Sequence, residues 1–438
     1  MYHKFFVCIV GISLVLCGGH GAHGKVYIDI DSPAFQKFPI AIADFEKLNR
    51  SQDKENLSAW FSHTLTKCLE TTGLFNVIDK RAFLENRADL AAESIRFADW
   101  KIIGAEYLVK GGLLLGGGDL LTEFRLYDVI RGELIAGKRY TGKMEDRREM
   151  VLKFAGEILL ALTGNEGVFD TKIAFVLKEG KASDIYAIGF DGSDLTRMTN
   201  YQSLIFSPRW SPDGGYISFT SYRDGNPDLY LMHLVDKTTR KMANFRGLNL
   251  SGSWSPDGKK ILLTLSKDGN EEIYLMDLNN GQLKRLTNNF AIDISPTWSP
   301  DGRKIAFVSN RCGSPQIYLM DADGSNVKRI TYEGNYNTSP SWSPRGDRIA
   351  YEGMIDGRFQ ILSMEVDGSN LLQLTSDAAN NEFPSWSPDG RYIVFSAKKN
   401  GRNRICVINT NGSNMRVLYE GSDGCLGLSW SPKRYRGP

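Results

Sequence analysis

The chain has 438 residues, 42% of them hydrophobic and 24% charged, which is too long for one ordinary core and has the balance of a folded protein. Fifty-three basic residues against 51 acidic leave a formal charge of +2, so no strong field gathers nucleic acid or an anionic membrane. Forty-four glycines point instead to many turns and short strands.

Residues 1–24 have Lys4 as their one Lys or Arg, then an apolar run over 5–16 and small residues over 18–24. That order predicts a secretory leader over 1–24 and therefore an exported protein without a membrane span. A membrane anchor is the alternative, in a lipoprotein version at Cys17, but Leu16 stands where a small residue precedes a lipidated cysteine. Beyond the leader, Cys68, Cys312, Cys406 and Cys425 form no close pair, and only His63 and His233 remain. Neither set suggests a metal or redox centre, and no cofactor is expected.

Residues 25–165 mix periods and predict a small α/β domain. At its start Val26, Ile28 and Ile30 alternate with Tyr27, Asp29 and Asp31. The residues favour an edge strand; a segment that pairs with a partner's sheet is the second reading. Leu57, Trp60, Phe61, Leu65 and Leu69 carry helical spacing, and residues 75–78 read as a strand after Gly73. Residues 107–115 and 120–129 read as paired strands around the glycines at 116–118. Without a helix opening on those glycines, a hairpin turn explains them better than a phosphate loop. Residues 145–162 predict a last helix.

From 166 to 438 the sequence repeats. Trp210, Trp254, Trp298, Trp342, Trp386 and Trp430 each open Trp-Ser-Pro at steps of 44 residues, and Ile173, Ile217, Ile261, Ile305, Ile349 and Ile393 keep the same step. Four of the tripeptides continue as Asp-Gly, a tight-turn composition; Arg345 and Lys433 replace the Asp in the others. Each period predicts four strands, and strands such as 305–308, apolar on both faces, need cover on both sides. The segment 173–199 lacks a first strand, while Trp430 supplies one and nothing after it. Together they predict a six-bladed β-propeller closed by the C-terminal strand, which removes both free edges.

No Gly-x-Ser-x-Gly elbow occurs, and Asp321-x-Asp323-Gly324 lacks the later acidic ligand of a calcium loop. The six tryptophans, at one strand position in every blade, read as core. Five residues ahead of them stand Ile205, Asn249, Asp293, Asn337, Asn381 and Cys425. Four Asn or Asp in this ring read either as turn caps or as a docking rim at the channel mouth.

Leader, short α/β domain and six Trp-Ser-Pro repeats together resemble the TolB family, the periplasmic component of the Tol-Pal cell-envelope system. The resemblance implies a non-enzymatic protein that binds the lipoprotein Pal through the propeller's channel face. By position it points to Leu248 and Asn249, to Asp293 and Ile294, and to the equivalent Asn337 and Asn381. It also implies that the segment 25–33, with Val26, Ile28 and Ile30, contacts TolA, and that the process served is outer-membrane integrity and cell division. A propeller enzyme acting on a sugar or ester, with Asp293 holding a metal in the channel, is the competing reading.

Overall fold

The computed structural model describes residues 36–48, 56–84, 95–116, 119–421 and 424–433. The expected leader and Val26, Ile28 and Ile30 lie outside these residues. Among the described residues no helix is long and apolar enough to cross a membrane.

The first domain is one sheet with helices on its faces. Strand β1 (Phe38–Ile42) lies between β3 (Phe75–Val77) and β4 (Tyr107–Gly116), parallel to both. The short β2 (Glu46–Lys47) also pairs parallel with β4. Antiparallel β5 (Asp119–Asp128) and β6 (Glu133–Lys143) complete the sheet. Gly116 pairs with Asp119, so the two strands form the antiparallel pair the sequence suggests.

Helix α1 (Leu57–Thr71) buries Leu57, Phe61, Leu65, Cys68 and Leu69, one stripe at helical spacing. Helix α2 (Phe97–Ile102) is short and seats Trp100 against Ala41 and Leu108. Helix α3 (Arg147–Thr163) ends on Gly164 in the left-handed region (φ 73°), whose N–H closes on Leu160 O at 2.9 Å. Aromatic rings knit helices to sheet: Phe124 meets Phe45 at 5.0 Å and Phe154 at 4.6 Å between centroids. Gly111 has to be glycine, because a Cβ there would fall 2.1 Å from the Phe45 ring.

Six four-stranded sheets follow. Five run in sequence order over 205–243, 249–285, 293–329, 337–373 and 380–421. The sixth joins Gly424–Trp430 to Lys172–Glu179, Ala182–Gly189 and Thr196–Arg197, which is the predicted closure. The two sequence rulers are cross-strand partners: Trp210 pairs with Ile217 and so on round the ring, ending with Trp430 on Ile173. All six isoleucines and all six tryptophans are buried. The innermost strands touch in a closed cycle, the first blade's against Gly424–Trp430.

Trp-Ser-Pro-Asp-Gly works as a unit. In the third blade Gly302 N–H closes on Ser299 O at 2.9 Å, Pro300 presets the turn, and Gly302 takes φ 70°. Asp301 then accepts from Ser299 Oγ at 2.6 Å and from Arg303 N at 3.0 Å. Where Arg345 replaces the Asp, Asp347 takes over the serine contact at 2.7 Å. Lys433, the other replacement, reaches Asn165 at 2.9 Å.

The first domain docks on the Trp-Ser-Pro side of the ring, over the fifth and closing blades. Tyr392 Oη donates to Thr72 O at 3.2 Å, and Arg391 reaches Thr163. Arg148 ion-pairs with Asp191, and Trp430 Nε1 donates to Thr171 Oγ1 at 2.8 Å. One apolar cluster runs unbroken from Phe61 and Phe154 through Phe169 and Phe190 to Tyr392 and Trp430. Among the described residues, no element of the first domain packs on the opposite side of the propeller.

Candidate functional site

Alternate strands run in opposite directions, so the turns between strands two and three and the loops between blades gather on the open side. The buried Asx residues shape those inter-blade loops. Asn249 Oδ1 accepts from Phe245 N at 3.0 Å, and its Nδ2 faces Phe245 O (2.8 Å), Gly247 O (3.1 Å) and Pro227 O (3.1 Å). Asn337 donates to Glu333 O at 2.8 Å and to Gln316 at 2.9 Å; Asn381 donates to Asp377 at 2.8 Å and to Gln360 at 3.1 Å. Asp293 accepts from Asn289 at 2.7 Å and is paired by Arg311 at 2.9 Å. Arg311 is itself stacked over Phe307 and Tyr318.

These partners settle the orientation of the Asx ring. Asn249, Asp293 and Asn381 are 0% exposed and Asn337 2%. A side chain wholly inside the protein offers a partner no surface of its own, so these four act here as the turn caps of the first alternative, staples that hold the loops. Ile205 and Cys425 are buried at the same position. Replacing Asn249 with alanine orphans several loop groups and should cost roughly 1–3 kcal/mol. A urea midpoint unchanged by Asn249→Ala would refute the staple.

The side chains that do project are neighbours in sequence. Alternation along a strand turns the residue before each Asx the other way. Leu248 there is half-buried, while Ile292 and Tyr336 are exposed; Ile294, on the far side of Asp293, is half-buried. Farther out in the same loops stand Phe290, 89% exposed, and Tyr332, 75% exposed. Tyr222 is exposed on the first blade's turn. Sequence reasoning missed Phe290, Tyr332 and Tyr336, although an aromatic in a loop of turn-forming residues is a signal in itself.

The channel behind this face narrows to a chamber of about 200 Å³. Its wall carries a register shift in all six inner strands, and in five of them Ser207, Ser295, Ser339, Phe383 and Gly427 adopt φ between 50° and 58°. Behind Ser339 and Phe383 of that wall lies Glu352, whose Oε1 accepts from Thr338 (2.6 Å) and Ser339 (2.9 Å) and whose Oε2 accepts from Phe383 N (2.8 Å). Burial raises its pKa above the ordinary 4.5, outweighing those hydrogen bonds. The folded state then holds the proton more tightly, so this group's stability is full below about 4.5 and lost as pH rises through the folded value. Glu352→Gln should therefore gain stability over wild type progressively from pH 4 to pH 8. Parallel urea curves at each pH, with no widening gap, would refute that.

Burial pushes the Cys68 and Cys406 thiols up to about 12, which suits core packing rather than nucleophilic work. Cys425 is buried as well, Cys312 is exposed, and among the described residues no disulfide joins any of the four. Among the described residues no three His, Cys, Asp or Glu side chains gather as a metal site.

Known proteins share this architecture. A family model described as the TolB β-propeller domain matches residues 160–434, and one described as the TolB amino-terminal domain matches 26–135. The chain is 54% identical over 215 residues to the Tol-Pal system protein TolB of Syntrophus aciditrophicus, covering 48% of each chain. It is 40% identical over 212 residues to that of Desulfosudis oleivorans, again covering 48% of each. These matches span about half the length of the curated relatives. The crystal structure of TolB from Acinetobacter baumannii superposes with a TM-score of 0.80 at 28% identity, over 91% of this chain and 97% of that one. With the propeller model covering well over half its length and the amino-terminal model preceding it, the chain belongs to the TolB family.

Proposed function

We propose that this chain is a non-enzymatic, periplasmic protein-binding component of a Tol-Pal system, docking a Pal-type lipoprotein on its open loop face. In the same reading the segment 25–33, with Val26, Ile28 and Ile30, engages a TolA-type protein, and the two contacts serve outer-membrane integrity and division. The observation that carries it is the placement of Phe290, Tyr332, Tyr336 and Ile292 on one face, on loops stapled from inside, opposite the side the first domain occupies. Large apolar groups fixed outward on rigid loops are what protein recognition uses. Mixed charge, with Lys241 between Asp224 and Asp228 and Lys267 beside Asp268, adds directional polar contacts at the rim.

Calorimetric titration of the mature protein with a soluble Pal-type domain tests the first contact, and absence of binding would overturn it. For the second, deleting 25–33 should abolish capture of a TolA-type domain and move the thermal midpoint by less than about 2 °C, as for an unburied terminus. A large stability loss would support the edge-strand alternative.

A further inference from the structure

The residue immediately before each tryptophan faces the channel, and in five of six blades it is a hydroxyl residue: Ser253, Thr297, Ser341, Ser385 and Ser429. In the first blade it is Arg209. Three of the serines have a structural duty, each accepting a tryptophan N–H of the next blade: Ser253 from Trp298 at 3.3 Å, Ser385 from Trp430 at 3.2 Å, Ser429 from Trp210 at 3.3 Å. Arg209 cannot perform that duty, because a guanidinium accepts no hydrogen bond.

Backbone contacts occupy only part of the cation. One terminal nitrogen of Arg209, Nη1, donates to Pro208 O and Leu428 O, both at 3.1 Å, and among the described residues no carboxylate pairs with it. The side chain lines both the chamber and the Trp-Ser-Pro mouth beyond it. Desolvation lowers its pKa to about 10, which still leaves it charged at neutral pH. The remaining chamber lining is Ser, Thr, Pro, Gly, Leu and Phe, without an acid. A half-buried cation without a carboxylate partner is costly, whereas guanidinium nitrogens beside hydroxyls are the donor set that oxyanions take.

From this juxtaposition we infer that the central chamber binds a small free oxyanion, of the phosphate or carboxylate type, between Arg209 and the hydroxyl ring. About 200 Å³ admits such an ion with a few waters, each of which fills about 30 Å³. The site lies inside the ring and is independent of which protein docks on the loop face.

The test uses the full mature chain at constant ionic strength, with inorganic phosphate, acetate and chloride as probes. Phosphate or acetate at tens of millimolar should raise the thermal midpoint by about 2–4 °C beyond matched chloride, and phosphate should broaden its phosphorus resonance in the protein's presence. Arg209→Ser installs the residue the fold already accepts at four equivalent positions, and should abolish both signals. Arg209→Lys keeps the charge but loses the fork, and should weaken affinity about tenfold. A wild-type response equal to chloride would overturn the site, and so would an undiminished response in Arg209→Ser. Should Arg209→Ser fail to fold, undiminished phosphate broadening by Arg209→Lys would overturn it as well.

Discussion

Changing Phe290 and Tyr332 together to alanine is expected to weaken binding of a Pal-type domain by about a hundredfold while leaving the thermal midpoint within about 2 °C of wild type. The two rings are 89% and 75% exposed, so the folded chain gains little from burying them. Exposed substitutions of this sort usually change stability by less than about 0.5 kcal/mol. In a docked complex the same rings would be anchors, each worth roughly 1–2 kcal/mol on truncation, and two such losses multiply to about two orders of magnitude in affinity. The contrast with Asn249→Ala is diagnostic, since a staple lowers stability whereas an anchor does not. Undiminished affinity in the double variant would place the partner elsewhere on the molecule.

The second large effect lies at the seam. Trp430→Ala should destabilise by about 4 kcal/mol, near the middle of the range for buried tryptophans, and by more than Trp342→Ala. Both indoles are buried, but their connections differ. Trp430 donates through Nε1 to Thr171 at 2.8 Å, and its ring packs beside Phe190 (5.9 Å) and Tyr392 (6.5 Å), joining closing blade, fifth blade and domain linker. Trp342 sits inside a blade made of one continuous stretch, and its indole N–H has no partner. Only at the closing blade does a sheet depend on strands about 250 residues apart, so loss of packing there also lets the ring open, at the entropic cost of reforming a long loop. Chemical denaturation of the two variants, with limited proteolysis near 172–179, reads the difference. Equal losses would mean that the seam is no weaker than any other blade.

Most of the fold was legible because the propeller writes itself as a period. Trp-Ser-Pro and the isoleucine seven residues later are short-range partners across one hairpin, so their spacing determines a blade, and the half-blade at each end determines closure. The helical stripe on Leu57, Phe61, Leu65 and Leu69 was equally plain, as was the hairpin at Gly116. What sequence left open was direction. Asn249, Asp293, Asn337 and Asn381 satisfy the pattern of a docking rim and of a turn cap alike. Only the tertiary structure, by bringing Pro227, Gln316, Arg311 and Gln360 from neighbouring strands into hydrogen-bond reach, turned them inward. Phe290 and Tyr332, farther out in the same loops, stay exposed instead. Which face the first domain covers was also invisible, because it depends on Tyr392, Arg148 and Asp191 meeting across separate elements. Local spacing records contacts between residues near in sequence; inside and outside are set by contacts between residues far apart.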